Sequence, residues 1–186
     1  LFCAFSTNST ATKIDIFDAI KAKTISATML SNGKHSGNSV DIKITNLTSQ
    51  PIELLVPAGS KYSTEADDEQ TLIQLEDQFI ALQPKQVYTG KVAAFCTEAS
   101  DRCPTTASAM KLTKNTNPKF TALSEYIKGK VIDKSTFQDA VWAISDGYSV
   151  SNIAAEDQVS VDFRKKVAEI TGQKNPWFSS PQNVTI

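Results

Sequence analysis

Short apolar alternations separated by turn residues run through the first half of the chain. The clearest is formed by Val40, Ile42 and Ile44, which alternate with polar residues as on a strand with one buried face. Glycine, proline and asparagine separate the segments. The other segments lie around Ile14 and at residues 25–29, 52–56, 72–75, 79–82 and 87–96. Six or seven short strands, spaced by about ten residues, predict an immunoglobulin-like antiparallel β-sandwich.

Apolar residues with helical spacing follow in the second half of the chain. The first two sets are Phe120, Leu123 and Ile127, then Phe137, Val141 and Ile144. A third helix is predicted over residues 157–171, with Gly172 as its stop. Ser135 and Gln138 have capping-box spacing at the start of the second helix. The predicted fold class is therefore α+β, a β-sandwich followed by a small three-helix subdomain.

These patterns divide the chain into four parts. Residues 1–11 are interpreted as a signal-peptide remnant, residues 12–104 as the sandwich, residues 105–118 as a polar linker or loop, and residues 119–186 as the helical subdomain packed on the sandwich. The first part starts apolar and ends in small residues, so cleavage is expected after Ala11. An ordinary first strand is the alternative. A leader would make the protein secreted or cell-surface, in an extracellular or periplasmic location.

Composition and missing motifs exclude several function classes. Nineteen basic and twenty acidic residues leave a formal charge of −1, and no Lys/Arg block indicates nucleic-acid binding. No apolar run has membrane-spanning length, so no transmembrane segment is expected. The single histidine, His35, lies among glycine-marked turns, and no motif indicates a metal or a cofactor. We expect no enzyme; a cysteine nucleophile at Cys96 assisted by His35 is the third and weakest hypothesis.

Cys96 and Cys103 are the only cysteines that follow the predicted leader. In an oxidising compartment such a pair most simply forms a disulfide across a short loop. The closed loop would add about 2–3 kcal/mol of stability in the chain-entropy description. This disulfide is the first hypothesis for the role of Cys96.

Two short motifs give a second hypothesis for Cys96. Phe95-Cys96 ends the last predicted strand, and Phe137-Gln138-Asp139-Ala140-Val141-Trp142 opens the second predicted helix. The two motifs resemble the thioester domains of bacterial surface adhesins, called TQXA domains. In that family an aromatic–Cys motif precedes a Gln-x-Ala-aliphatic-Trp motif. The chain departs from the family at Phe137, where the name motif has threonine.

The resemblance implies an internal thioester between the side chains of Cys96 and Gln138. A lysine amine of an extracellular protein or surface ligand would then attack the thioester and leave an amide on Gln138. Phe95 and Phe137 would support the site, and Trp142, one helical turn after Gln138, would shield the bond from water. The implied function is cell-surface adhesion through a covalent bond.

Each of these residues also has an ordinary structural explanation. Gln138 is accounted for by the capping box, and Trp142 by packing in a helical core. The alternative function is thus a non-covalent structural or interaction β-sandwich with a Cys96–Cys103 disulfide. Such a module would use loops at one end of the sandwich, for example residues 57–70.

Overall fold

A computed structural model describes residues 11–176 of the chain. The predicted signal-peptide remnant therefore lies outside the described residues except for Ala11. The first half contains β1 (Thr12–Asp15), α1 (Ile16–Lys21), β2 (Ile25–Ser31), β3 (Asn38–Asn46), β4 (Ile52–Val56), β5 (Ser60–Ser63), β6 (Leu72–Ile73), β7 (Gln78–Leu82), β8 (Val87–Ala93) and β9 (Phe95–Cys96). The second half contains β10 (Lys111–Lys114), α2 (Pro118–Ile127), α3 (Phe137–Ser145) and α4 (Gln158–Thr171), with 3₁₀ turns at Lys134–Thr136 and Val150–Asn152.

The described strands form three sheets that are mostly antiparallel. Their strand orders are β2-β3-β8, β1-β4-β7 and β10-β5-β6-β9, and β1 pairs with β4 in parallel. The fold class predicted from the sequence, a β-sandwich followed by helices, is confirmed. The alternation in β3 is also confirmed, since Val40, Ile42 and Ile44 are all buried. Burial of one strand face, as the period-two pattern predicts, drives this part of the fold.

Three local features differ from the expected strand pattern. The alternation of Ile14 and Ile16 predicts one strand, but Asp15 caps α1 through its carboxylate, which accepts a hydrogen bond from the amide of Phe17 at 2.7 Å. The expected strand over residues 87–96 is two strands, because β8 pairs with β3 and β9 pairs with β6. Residues 111–114, in the expected polar linker, form β10 against β5.

Two apolar clusters make up the core of the described residues. One fills the sandwich and includes Cys96; the other joins α2, α3 and α4 to Ile73, Leu75 and Phe95 of the β-rich half. Side chains of adjacent strand residues point to opposite faces, so Phe95 and Cys96 belong to different clusters. Strand β9 is therefore the seam between the sandwich and the helices.

Between residues 11 and 176, no helix is both long enough and apolar enough to cross a bilayer.

Candidate functional site

The candidate site is centred on Cys96, the last residue of β9. Its Cα is paired with that of Leu72 on β6, and its side chain is fully buried. The amide of Cys96 also donates to the carbonyl oxygen of His35 at 2.9 Å. These main-chain bonds fix the position of Cys96 at the seam.

Gln138, the second residue of α3, contacts the main chain of Cys96 through its carboxamide. The amide N–H of Cys96 donates to Oε1 of Gln138 at 3.1 Å, and Nε2 of Gln138 donates to the carbonyl oxygen of Cys96 at 2.7 Å. Gln138 is 7% exposed, so both hydrogen bonds are buried. The structure thus brings together the two residues that the resemblance pairs, although 42 positions separate them.

The predicted capping box between Ser135 and Gln138 is wrong. Ser135 lies in the 3₁₀ turn before α3, where the Asp133 carboxylate accepts from its amide. The N-cap of α3 is Thr136, which makes no side-chain capping bond. The Gln138 carboxamide is occupied by a partner distant in sequence, and local spacing cannot reveal such a contact.

The thiol of Cys103 lies close enough to the thiol of Cys96 to contribute to raising its pKa. Both cysteines are free thiols in this structure, and the Cys103 sulfur lies 3.4 Å from the carbonyl oxygen of Gly33. Burial, with a smaller contribution from Cys103, raises the pKa of the Cys96 thiol well above its ordinary value. Little of the nucleophilic thiolate therefore exists at Cys96 near neutral pH. Cys103 is half-buried, and burial raises its pKa as well.

An aromatic group lies beside this pair. The indole of Trp142 is half-buried and stacks on the imidazole of His35, with ring centroids 6.5 Å apart and planes 9° apart. The ring of Tyr148 lies 5.9 Å from the indole on a tilted plane. Contacts therefore run from Cys96 to Gln138, along one turn of α3 to Trp142, to His35 and back to Cys96. The sequence places His35 only in a turn, and no sequence signal indicated its contact with Trp142.

The two phenylalanines of the motifs support the site from the helical cluster. The rings of Phe95 and Phe137 meet edge to face, with centroids 5.6 Å apart, and Phe137 also contacts Phe163 of α4. These contacts hold the start of α3 against β9. They thereby fix the approach of Gln138 to Cys96.

The arrangement brings together two groups that can react with each other, a thiol and a carboxamide. Within residues 11–176, no group of three or more His, Cys, Asp or Glu side chains is placed to hold a metal ion. Comparison of the chain with known protein families, with curated protein sequences and with solved structures finds no match.

Proposed function

We propose that the protein is an exported or cell-surface binding module that attaches covalently to a partner amine through a Cys96–Gln138 thioester. The observation that supports the proposal is the pair of buried hydrogen bonds between Cys96 and Gln138. The main chain of Cys96 already contacts the carboxamide. The carboxamide of Gln138 therefore already lies against the residue whose sulfur would attack it.

The thioester would form by attack of the Cys96 sulfur on the carboxamide carbon of Gln138. Negative charge then develops on Oε1, which already accepts a hydrogen bond from the Cys96 amide at 3.1 Å. A donor placed on the developing oxyanion lowers the barrier, and held proximity lowers it further. The C–N bond of the carboxamide then breaks. Nε2 takes up the proton released by the thiol and leaves as ammonia. The raised pKa of that thiol makes its deprotonation the costly step.

Capture of the partner would again be a nucleophilic attack on the side-chain carbonyl carbon of Gln138. A primary amine attacks the thioester carbonyl, the C–S bond breaks, and the proton of the amine passes to the departing sulfur. The products are an amide on Gln138 and a free Cys96 thiol. Each molecule reacts once, so the proposed activity is covalent adhesion and not turnover.

A second candidate function is favoured by the proximity of Cys103 to Cys96, both of which are free cysteines. Oxidation of this pair would give a disulfide and a non-covalent interaction module. Cys103 and Gln138 compete for one sulfur atom, so a single molecule carries one bond or the other. The two candidates therefore predict different masses for the same protein.

The experiment is the intact mass of the mature protein, purified without reductant. The thioester predicts a deficit of one ammonia, and methylamine should convert that species into the methylamide. The matched variants Cys96→Ala and Gln138→Ala should each show no deficit. A deficit of two hydrogens, restored by reductant and absent from Cys103→Ala, would replace the thioester with the disulfide. An unmodified mass would contradict both bonds.

Export is a separate part of the proposal and has its own test. The protein expressed from its native gene in its natural host is expected to be recovered outside the cytoplasm. The N-terminus of the exported protein should be Thr12, since cleavage is expected after Ala11. An N-terminus upstream of Ala11 in the mature protein would contradict this processing site.

A further inference from the structure

The chain's single histidine, His35, adjoins the candidate site through its main chain. Its carbonyl oxygen lies 2.9 Å from the amide nitrogen of Cys96, and the same amide donates to Oε1 of Gln138 at 3.1 Å. The amide of Ala94 donates to the carbonyl oxygen of Gly37 at 2.8 Å, so a second main-chain bond holds this segment beside β9. The main chain of His35 is therefore fixed next to the two residues of the proposed thioester.

The imidazole of His35 lies on the solvent side of the site. It stacks on Trp142, and Trp142 follows Gln138 by one helical turn, so the side chains of Gln138 and Trp142 share one face of α3. Cys96 is fully buried and Gln138 is 7% exposed, whereas Trp142 is half-buried and His35 is exposed. An amine from solvent therefore meets His35 and Trp142 before it reaches the side-chain carbonyl of Gln138.

Capture of an amine needs a group that carries a proton from nitrogen to sulfur. The nitrogen that has attacked the thioester is positively charged until it loses a proton. The Cys96 sulfur leaves more readily as a thiol than as a thiolate, because burial raises the pKa of this thiol well above its ordinary value. An imidazole can first accept and then donate a proton near neutral pH, so it meets both needs.

Two acidic residues lie close to the motifs in sequence but are less suited to this role. The carboxylate of Glu98 accepts a hydrogen bond from the amide of Thr71 at 2.8 Å. Asp139 follows Gln138 directly, and consecutive residues of a helix point to different sides. The ring of His35 has no protein hydrogen-bond partner within residues 11–176, so its nitrogens are open to solvent and to an entering amine.

We propose that His35 is the general base that accepts the proton of the attacking amine and returns it to the sulfur of Cys96; this role rests on the proposed thioester. The amine nitrogen attacks the side-chain carbonyl carbon of Gln138, and an electron pair of the C=O bond moves to Oε1, which the Cys96 amide holds. The imidazole takes a proton from that nitrogen, directly or through one water molecule. The carbonyl then re-forms, the C–S bond breaks, and the imidazolium gives its proton to the sulfur. The products are an amide on Gln138, a free thiol and a neutral imidazole.

The test compares two nucleophiles that differ in their need for a base. Methylamine must lose a proton after it attacks the thioester, whereas 2-mercaptoethanol attacks as a thiolate whose sulfur has no proton left to lose. Both reagents are added to the mature protein, purified without reductant. Intact mass gives the initial rates at which the species with the ammonia deficit becomes the methylamide or the mercaptoethyl thioester.

Two variants remove the base in different ways. His35→Gln replaces the imidazole by a carboxamide, and His35→Phe keeps a ring that can stack on Trp142. Each variant should react with methylamine about a hundredfold more slowly than the wild type, at the lower end of what general-base catalysis contributes. Each should react with 2-mercaptoethanol at the wild-type rate and should start with the same fraction of ammonia-deficit molecules. Lys34→Gln, at an exposed neighbouring position, is the matched control and should leave both rates unchanged.

The outcomes separate the role of His35 from the proposed function. A wild type without the ammonia deficit contradicts the thioester and therefore the role of His35 as well. A wild type that carries the deficit but reacts with methylamine no faster than the two variants contradicts the role of His35 alone. Equal changes in rate with both nucleophiles would assign His35 to the positioning of Trp142 and not to proton transfer. Loss of the ammonia deficit in both variants would place His35 in thioester formation and overturn its role in capture.

Discussion

The carboxamide of Gln138 pairs with the main chain of Cys96 much as a neighbouring strand would. Its Oε1 lies 3.1 Å from the amide nitrogen of Cys96, and its Nε2 lies 2.7 Å from the carbonyl oxygen. A side chain of α3 therefore satisfies both polar groups of a residue on β9. This contact ties the helical cluster to the sandwich, whether or not a covalent bond follows.

Replacing Gln138 by alanine should destabilise the protein by about 1–3 kcal/mol, because two buried hydrogen bonds are lost. The Cys96 amide keeps the carbonyl of His35 as a partner, so the unpaired Cys96 carbonyl accounts for much of the loss. The free energy of unfolding, measured by urea denaturation under reducing conditions, checks this value.

Gln158→Ala on α4 is the matched control for this substitution. Gln158 is exposed, and within residues 11–176 its side chain bonds only to Asp162 of the same helix, so its loss should change stability by less than about 0.5 kcal/mol. Equal effects of the two substitutions would show that the Gln138–Cys96 contact contributes little to stability.

The two thiols should react with alkylating reagents at different rates. Cys103 is half-buried and Cys96 is fully buried, so iodoacetamide should label Cys103 first in the folded, reduced protein. Both thiols should react more slowly than in the unfolded chain, because burial raises both pKa values and reduces the thiolate fraction. Peptide mapping of timed samples gives the order, and labelling of Cys96 before Cys103 would contradict it.

The same raised pKa values predict how stability depends on pH. Above the ordinary thiol pKa of 9.0, the unfolded chain releases the Cys96 proton while the folded chain retains it. The unfolded state then binds fewer protons, so the free energy of unfolding falls as the pH rises. Urea denaturation between pH 7 and 10 should show a shallower fall in Cys96→Ala than in the wild type. If the free energy of unfolding falls equally with pH in the two proteins, the burial of the Cys96 thiol is not the cause of the fall.

The sequence predicts the fold class and most of the elements because burial of one face leaves a periodic trace. The alternation in β3 and the stripe of Phe137, Val141 and Ile144 are examples, and all of these residues are buried. The sequence does not predict the start of α1. Ile16 continues the period-two alternation of a strand, but the strand ends at Asp15, whose side chain caps the helix that begins at Ile16. Spacing also fails for β10, because its one apolar residue, Leu112, stands among polar residues and is only partly buried.

The candidate site is predictable only where a motif identifies its residues. Cys96, Gln138, Phe95 and Phe137 are such cases, and the structure places them in contact. The stacking of His35 on Trp142 depends on main-chain bonds that join residues 35 and 37 to residues 96 and 94. These long-range bonds leave no periodic pattern in the sequence, so spacing cannot reveal them.

Removing Cys103 should favour the thioester over the disulfide. In the proposed function the Cys96 sulfur can bond to either Cys103 or Gln138, and Cys103→Ala leaves only the carboxamide of Gln138. The proposed function therefore predicts a larger fraction of molecules with an ammonia deficit in Cys103→Ala than in the wild type, after both are exposed to oxidised glutathione. Intact mass measures both fractions. An unchanged fraction would show that Cys103 does not compete for the sulfur.

Trp142 carries a buried indole N–H that has no hydrogen-bond partner within residues 11–176. Trp142→Phe retains an aromatic ring on α3 and removes this unpaired donor. The loss of the donor and the loss of packing then offset each other, so stability should change by less than about 1 kcal/mol. Trp142→Ala instead removes the stack on His35 and should destabilise by about 2–4 kcal/mol, since the side chain is half-buried.

The same two variants test whether the indole shields the proposed thioester. Trp142→Ala should lose its ammonia-deficit species to hydrolysis or methylamine faster than the wild type, because water reaches the carbonyl of Gln138 more easily. Trp142→Phe should react at nearly the wild-type rate, because its ring still covers the turn of α3 next to Gln138. Timed intact-mass measurements give both rates. Equal rates for Trp142→Ala and the wild type would assign Trp142 to packing alone, with no part in protecting the bond.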